Sequence, residues 1–227
     1  MVPMTQNKQY KQVKDNTFFL DFVRITGFLP VYLWKRPKVY YMGDRKKCHP
    51  KGGILIASNH ISFTDPLLLY CVFLHRRIRF LATKDLYKNA LISFLFSAAG
   101  CIQVDKDNFN IGSLRKVVDK LKAGKPILIF PEGQVNKKEA MLTFKSGAVL
   151  MAQLSGAPIQ PVFITKREKW YQWNKVVVGE PIDICSMCSR FHSMDEIDKV
   201  GEIVREKEKE LEEYFSNHIA KTKGVPQ

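Results

Sequence analysis

The chain has 227 residues, 45% of them hydrophobic, which is enough for one domain with a sizeable core. Its 36 Lys and Arg residues against 22 Asp and Glu residues give a formal net charge of +14, which favours anionic partners such as a lipid surface, nucleic acid or an acidic carrier protein. No nucleic-acid partner is expected, because the sequence has no helix-turn-helix pattern, ribonucleoprotein motif or zinc-finger spacing.

The first distinctive segment is an apolar and aromatic stretch at residues 18–34. Asp21, Arg24 and Pro30 interrupt it, so it falls short of the roughly 20 uninterrupted apolar residues that span a bilayer. Its apolar residues recur at helical spacing and a basic segment, residues 35–38, follows it, which suits a helix lying in the plane of an anionic membrane. A helix packed on the domain's own core fits the pattern equally well.

We therefore predict two regions, an amphipathic membrane-associating segment at residues 1–45 and an α/β domain at residues 46–227. The apolar run lacks a small-residue cleavage site, so no cleavable signal peptide is expected. The five cysteines, an odd number, indicate reduced thiols. The expected location is the cytoplasmic face of a membrane.

Residues 58–66 place a histidine and a carboxylate five positions apart, between an apolar strand candidate at 53–57 and an apolar helix candidate at 66–74. A strand-to-helix turn is where α/β enzymes tend to hold reactive groups. The neutral imidazole of His60 can take a proton near pH 7, and the carboxylate of Asp65 on its other nitrogen would fix the tautomer. Asp65 also suits the helix N-cap, so a purely structural pair is the competing interpretation.

A second carboxylate, that of Glu132, follows another strand candidate at residues 127–130, where Pro131 and Gly133 indicate a sharp turn. The other strand candidates are residues 78–82, 102–104, 161–164 and 176–178, and the other helix candidates are residues 113–123, 146–154 and a C-terminal helix that begins at the capping box 193–196. Alternating strands and helices predict an α/β fold, a mixed and largely parallel sheet flanked by helices, with an N-terminal membrane-associating helical segment.

The C-terminal helix candidate carries one apolar stripe, formed by Ile197, Val200, Val204 and Leu211. Most of its other residues are charged. We expect this charge run to be a solvated face with no functional site.

Four sequence blocks, in this order, resemble those of the glycerolipid acyltransferase family, whose type members are the bacterial 1-acyl-glycerol-3-phosphate acyltransferases. The blocks are Asn-His-x4-Asp at residues 59–65, residues 100–106, Phe-Pro-Glu-Gly at residues 130–133 and residues 158–164. The likeness covers about residues 50–180, and the four blocks together are far more specific than His-x4-Asp alone.

The resemblance implies transfer of a fatty acyl group to the hydroxyl of a lysophospholipid, most simply 1-acyl-glycerol-3-phosphate, in phospholipid biosynthesis. The donor would be acyl-CoA or an acyl carrier protein as co-substrate, with no cofactor and no acyl-enzyme. His60 would be the catalytic base and Asp65 would orient it. The residues expected to bind substrate are Asn59, Lys106, Pro131, Glu132, Gly133 and Lys145.

Two departures from the family pattern bear on the acceptor headgroup. Lys106 stands where the family usually has an arginine, and Gln134-Val135 stands where it commonly has Thr/Ser-Arg. Arginine binds phosphate through two parallel N–H donors, whereas lysine offers a compact point charge. Lys137, Lys138 and Lys145 are nearby cations that could compensate. The alternative acceptor is therefore another lipid hydroxyl, on a different lysolipid or an aminolipid.

Other function classes fit the sequence less well. A serine-type lipid hydrolase could use Ser58 or Ser62, but no Gly-x-Ser-x-Gly elbow is present. A non-catalytic lipid-binding module would not need the His, Asp and Glu set. Cys185-x2-Cys188 with His192 supplies three metal ligands where a structural zinc needs four, so no metal site is predicted.

Overall fold

A computed structural model of the chain describes residues 17–83, 88, 93, 96, 101–104, 111–133, 135, 146–167, 172–187 and 194–220. Seven strands form one sheet: β1 (Pro37–Met42), β2 (Leu55–Ser58), β3 (Arg79–Thr83), β4 (Ile102–Val104), β5 (Ile127–Ile129), β6 (Ile159–Ile164) and β7 (Asn174–Gly179). Their order in space is β1-β7-β6-β2-β5-β3-β4. Every neighbouring pair is parallel except β6 and β7, which confirms the predicted mixed, largely parallel sheet.

Helices lie on both faces of the sheet, as predicted. The helices that the structure describes from end to end are α1 (Thr17–Lys35), α2 (Asp65–Val72), α3 (Ile111–Lys122), α4 (Ser146–Ser155), α5 (Ile184–Met187) and α6 (Met194–Tyr214), which a π-helical segment (Phe215–Ala220) continues. Successive strand residues point to opposite faces. Ile56 therefore packs with Leu68 of α2 on one face, whereas Leu55 packs with Val117 of α3 and Val204 of α6 on the other.

The start of α2 corrects one prediction. The helix begins at Asp65, so Thr64 occupies the N-cap position, and Thr64 makes no side-chain cap hydrogen bond. The interpretation of Asp65 as the N-cap is therefore wrong. Its carboxylate accepts hydrogen bonds from the residues before the helix, which leaves it available to the preceding turn.

The strand β1 was not predicted from the sequence. It pairs in parallel with β7, with Val39 opposite Val176 and Tyr41 opposite Val178. Residues 37–42 therefore contribute to the sheet, although the predicted boundary near residue 45 assigns them to the N-terminal segment. The basic residues of this segment suggested contact with anionic lipid, whereas its Val-Tyr-Tyr sequence has a high β-propensity.

The helix α1 lies where the sequence predicts it and packs against α2. Its N-terminal part is joined to the segment between α2 and β3 by an ion pair between Asp21 and Arg77. Phe22, Leu29 and Leu33 are exposed, so this side of α1 does not pack on the domain's own core. Within the part of the chain that the structure describes, no helix has the length and apolar character needed to cross a membrane.

The sheet topology sets the position of the functional residues. Strands β2, β3, β4, β5 and β6 run in the same direction, so their C-terminal ends meet at one edge, which we call the carboxyl edge. His60 follows β2 and Glu132 follows the adjacent β5. The carboxyl edge is where open α/β sheets bind ligands, and both predicted motifs lie there.

Candidate active site

The turn between β2 and α2 brings His60 and Asp65 into direct contact. Nδ1 of His60 lies 3.0 Å from Oδ2 of Asp65. The same oxygen accepts hydrogen bonds from the backbone N–H groups of Ile61 and Ser62, each at 2.7 Å. These donors offset the desolvation of Asp65, which is only 2% exposed. The turn is thus built around the carboxylate, which fixes the imidazole beside it.

The hydrogen bond at Nδ1 determines what the other ring nitrogen can do. With Nδ1–H donated to Asp65, Nε2 of His60 carries the lone pair and can accept a proton. Among the described residues, no side chain makes a hydrogen bond to Nε2. Ser58 Oγ donates to the carbonyl of Asn59, and Ser62 Oγ bonds Thr64 Oγ1 at 2.9 Å, so neither serine is paired with the imidazole.

An aromatic contact joins the first and third sequence blocks. The ring of Phe130 stacks on the imidazole of His60, with centroids 4.0 Å apart and planes 18° from parallel. Phe130 directly follows β5, whereas His60 follows β2, so the stack bridges the ends of adjacent strands. Together with the bond to Asp65, it holds the imidazole between a carboxylate and an apolar surface.

The Phe-Pro-Glu-Gly block forms a tight turn at the carboxyl edge. The N–H of Gly133 donates to the carbonyl of Phe130 at 2.9 Å, and Gly133 adopts φ +67°, a conformation that side chains disfavour. Pro131 and Glu132 are buried within this turn. The Glu132 carboxyl group therefore lies at the end of the strand beside His60, while its predicted contact with substrate stays a prediction.

The side chain of Asn59 makes two backbone hydrogen bonds that the sequence did not predict. Its Nδ2 donates to the carbonyl of Ile164 at 2.9 Å, and its Oδ1 accepts from the N–H of Ile164 at 2.7 Å. The side chain thus ties the end of β2 to the end of β6, and the residue is 6% exposed. The side-chain amide of Asn59 therefore positions the turn, while its predicted contact with substrate stays a prediction.

The remaining predicted substrate residues, Lys106 and Lys145, lie outside the described residues, as do Lys137 and Lys138. So do Cys188 and His192 of the incomplete metal-like cluster. Within the described ranges, no group of three or more His, Cys, Asp or Glu side chains could hold a metal ion.

The thiols of Cys48, Cys71 and Cys101 are not suited to act as nucleophiles. Burial raises the pKa of Cys48 and of Cys71 to about 11, and that of Cys101 to about 12. These thiols stay protonated near neutral pH, whereas a nucleophilic cysteine needs a thiolate.

Two ionisable groups near the site were not predicted from the sequence. Lys35, at the end of α1, is buried against the β2–α2 turn, although the sequence placed it on a lipid-facing flank. Glu208 of α6 is buried, and burial together with the charge of Glu132 raises its pKa to about 8. Glu208 lies four residues after Val204 and three before Leu211, so its position on the apolar stripe was the available signal. The prediction of a fully solvated charge run is wrong at this residue.

Comparison with known proteins agrees with this geometry. The model of the family described as Acyltransferase matches residues 39–165, which include His60, Asp65 and the Phe-Pro-Glu-Gly turn. The chain belongs to this acyltransferase family. The match covers more than half of the chain, and it begins within β1, the strand that precedes the first motif.

Individual relatives of this acyltransferase point the same way. A 1-acyl-sn-glycerol-3-phosphate acyltransferase of Bacillus subtilis is 27% identical over 77% of this chain and 87% of its own length. A lyso-ornithine lipid O-acyltransferase of Pseudomonas aeruginosa is 28% identical over 52% of this chain and 45% of its own length. The crystal structure of the 1-acyl-sn-glycerophosphate acyltransferase PlsC from Thermotoga maritima has the same fold, with a TM-score of 0.63 and 22% identity over 87% of this chain and 80% of that one.

Proposed function

We propose that this acyltransferase transfers a fatty acyl group from an acyl thioester to the hydroxyl of a lysophospholipid, with 1-acyl-glycerol-3-phosphate as the acceptor. The observation that carries the proposal is the His60–Asp65 pair. Nδ1 of His60 is hydrogen-bonded to the carboxylate of Asp65, and Nε2 of His60 has no hydrogen-bond partner among the described residues. A base oriented in this way can activate a hydroxyl that the substrate brings.

The reaction needs one proton to move twice. The acceptor hydroxyl donates its proton to Nε2 of His60 as its oxygen attacks the thioester carbonyl carbon. Asp65 stabilises the imidazolium that forms. When the carbon–sulfur bond breaks, the imidazolium returns the proton to the leaving thiolate, so the products are a carboxylic ester and a free thiol. No covalent acyl-enzyme is required.

The same geometry disfavours a serine hydrolase. Such an enzyme needs a serine hydroxyl within hydrogen-bond reach of the base. The hydroxyls of Ser58 and Ser62 are instead bonded to the Asn59 carbonyl and to Thr64. Substituting either serine by alanine should therefore leave acyl transfer largely intact, while loss of transfer in both variants would favour hydrolase-type chemistry.

We further propose that the enzyme works at the cytoplasmic face of a membrane and contacts it through an apolar rim. This rim consists of Phe22, Leu29, Leu33 and Trp34 of α1 together with Phe63 and Leu67 beside the β2–α2 turn, all of them exposed. Phe63, at 80% exposure, lies between His60 and Asp65 in the chain. Exposed apolar side chains at the site entrance and the net charge of +14 suit an anionic lipid surface.

The acyl-transfer proposal is tested by the thiol released from acyl-CoA or from an acylated carrier protein in the presence of lysophosphatidic acid. His60→Ala should abolish transfer, because the base is lost. The matched control is His75→Ala, an exposed histidine that follows the far end of α2. Near-normal turnover in His60→Ala would refute the mechanism, and thiol release without ester formation would show hydrolysis.

The membrane proposal is tested by cosedimentation with anionic vesicles. The double variant Leu29→Gln/Leu33→Gln should bind such vesicles more weakly than the parent. Leu154→Gln is the control, because Leu154 is also exposed but lies on α4, which packs on the opposite face of the sheet. Equal sedimentation of the double variant and the control would show that the α1 part of the apolar rim does not contribute to membrane binding.

A second acceptor class has one observation in its favour. The third block lacks the arginine that the family commonly has there, since Gln134-Val135 follows Gly133. An acceptor without a phosphate monoester, such as a lyso-aminolipid, would not need that guanidinium. Competition between lysophosphatidic acid and lyso-ornithine lipid in one reaction, with the products resolved by mass spectrometry, separates the two acceptors.

A further inference from the structure

A buried cation lies on the turn that holds the His60–Asp65 pair. Lys35, the last residue of α1, is 5% exposed, and its Nζ donates a hydrogen bond to Oγ1 of Thr64. Thr64 immediately precedes Asp65 in the chain. An ammonium group has three N–H donors. The one to Thr64 has a hydrogen-bond acceptor among the described residues, and Nζ also lies 4.6 Å from the centre of the Trp34 ring. Lys35 therefore has at least one further donor for a ligand.

A second cation reaches the same place from another strand. Arg167 lies three residues beyond the end of β6, and β6 ends at the carboxyl edge. Its Nη1 lies 3.3 Å from the carbonyl of Trp34 and 3.4 Å from that of Gln172, which brings the guanidinium to the end of α1. Burial and the charge of Arg167 lower the pKa of Lys35, and the charge of Asp65 opposes this shift.

The backbone around Lys35 is held in an unusual conformation. Arg36 has φ +46° and is the one non-glycine residue with a positive φ in the described part of the chain. The side chain of Asn174 donates to the carbonyl of Lys35, and the N–H of Asn174 donates to the carbonyl of Arg36 at 3.1 Å. Backbone of this kind is unfavourable and persists where its surroundings fix it, often at ligand sites. The end of α1 is therefore rigidly placed beside the turn.

Two like charges brought together in a partly desolvated place repel each other, and a bound anion relieves the repulsion. An ammonium, a guanidinium and a hydroxyl are the donors that recognise tetrahedral phosphate oxygens. The family's usual guanidinium positions are occupied here by Lys106 and by Gln134-Val135. An arginine supplied from the end of β6 would restore a guanidinium to the substrate site.

We propose that Lys35 and Arg167, together with the hydroxyl of Thr64, bind a phosphoryl group of the substrate beside the His60–Asp65 pair. The inference rests on the proposed acyl transfer, whose two substrates both carry phosphate. The phosphoryl group is either the headgroup of the lysophospholipid acceptor or a phosphate ester of the acyl donor's carrier. Placing that anion here would set the distance between the acceptor hydroxyl, or the thioester, and Nε2 of His60.

The test uses full-length Lys35→Met and Arg167→Gln, which remove each charge and keep much of the side-chain volume. Lys166→Met is the matched control, because Lys166 is an exposed cation directly before Arg167. Steady-state kinetics are measured with lysophosphatidic acid and acyl-CoA. Thermal stabilisation by sn-glycerol 3-phosphate and by inorganic phosphate is measured without any turnover.

Loss of one charge-assisted contact should raise the Michaelis constant of the phosphate-bearing substrate about ten- to a hundredfold. A rise confined to lysophosphatidic acid assigns the site to the acceptor headgroup, and a rise confined to acyl-CoA assigns it to the donor. Either result, with weakened stabilisation by the phosphate probes, supports the site. Lys166→Met should behave like the parent protein in every measurement.

Unchanged Michaelis constants and unchanged stabilisation by phosphate would overturn the proposal. So would a fall in kcat alone, since Lys35 would then only position Asp65. If Lys35→Met does not fold, the partly exposed Arg167→Gln decides the same question. A parent protein that acylates no lysophospholipid refutes the proposed function, whereas absence of phosphate-probe binding in an active parent refutes this site.

Discussion

Asp65 and Glu208 are two carboxyl groups buried to nearly the same extent, with 2% and 4% exposure, but their surroundings differ. One oxygen of Asp65 accepts hydrogen bonds from two backbone N–H groups and lies 3.0 Å from Nδ1 of His60. Oε1 of Glu208 has no hydrogen-bond partner among the described residues. Burial first, and then the charge of Glu132, raises the pKa of Glu208 to about 8.

The comparison shows that burial alone does not decide the state of a carboxyl group. N–H donors stabilise negative charge on Asp65, whereas Glu208 lies on the apolar stripe of α6 and is protonated at neutral pH. The β2–α2 turn has therefore been built to hold a charge next to His60. The α6 position tolerates a carboxyl group by keeping it neutral, near the turn that carries Glu132.

The largest expected effect is on Asp65. Asp65→Asn keeps a carbonyl oxygen that can accept from the N–H groups of Ile61 and Ser62, so the turn and the fold should persist. The charge that stabilises the His60 imidazolium is lost and the tautomer is no longer enforced. We expect kcat to fall by about four orders of magnitude, as in serine-protease triads that lose the aspartate, with little change in melting temperature.

Ser62→Ala is the control for this prediction, because it alters the same turn and leaves the carboxylate in place. Its kcat should stay within about tenfold of the parent, since it removes only the hydrogen bonds to the hydroxyl and the N–H of Thr64, each worth about 1 kcal/mol. A kcat for Asp65→Asn that matched the Ser62→Ala value would mean that Asp65 serves the turn alone.

The sequence predicts the fold well where a local signal exists. The strand at Ile102–Val104 has the predicted bounds, and the strand and helix around His60 lie within two residues of their predicted positions. The strand Pro37–Met42 was missed because it is held by pairing with β7, far away in the chain, and because its basic flank suggested lipid contact. Parallel partners leave no local turn signal.

The residues of the candidate site likewise fall into those with a local sequence signal and those without one. His60, Asp65 and Glu132 could be found because each follows an apolar strand and stands in a recognisable motif. The task of Asn59 could not be read from its motif, since its partner, Ile164, is 105 residues away. Lys35 and Arg167 come together only when α1 and β6 end at the same edge. Glu208 was overlooked because eight other acidic residues between Asp195 and Glu213 suggested a solvated face.

The next largest effect concerns Glu208 and pH. An ordinary glutamate has a pKa near 4.5, so between that value and about 8 the unfolded chain has released the proton while the folded chain still holds it. Stability therefore falls as pH rises through this window and levels off above it. The glutamine of Glu208→Gln does not titrate, so the unfolding free energy of this variant lacks this fall. Relative to the parent, its unfolding free energy should gain a few kcal/mol between about pH 5 and about pH 8.

Urea denaturation of both proteins at these two pH values measures the difference, and its change with pH is the informative quantity. Any penalty of the amide that does not change with pH cancels in this comparison. Glu206→Gln is the control, because Glu206 is an exposed residue of the same helix. A parent and a Glu208→Gln variant with parallel stability profiles would show that Glu208 is charged in the folded protein, and its contrast with Asp65 would disappear.

The smallest expected effect separates the two causes of the Glu208 shift. Desolvation raises the pKa of Glu208 more than the negative charge of Glu132 does. Glu132→Gln should therefore lower the pKa of Glu208 toward its ordinary value by less than half of the total shift. The titration can be followed through the side-chain carboxyl carbon by NMR in protein labelled at glutamate. Glu180→Gln is the matched control, because Glu180 is a partly exposed carboxylate whose side chain accepts from the N–H of Asp44.

A return of Glu208 to an ordinary titration in Glu132→Gln would mean that repulsion between the two carboxyl groups, and not burial, keeps Glu208 neutral. The carboxyl pair would then titrate as one unit, and protonation at α6 would be coupled directly to the turn beside His60.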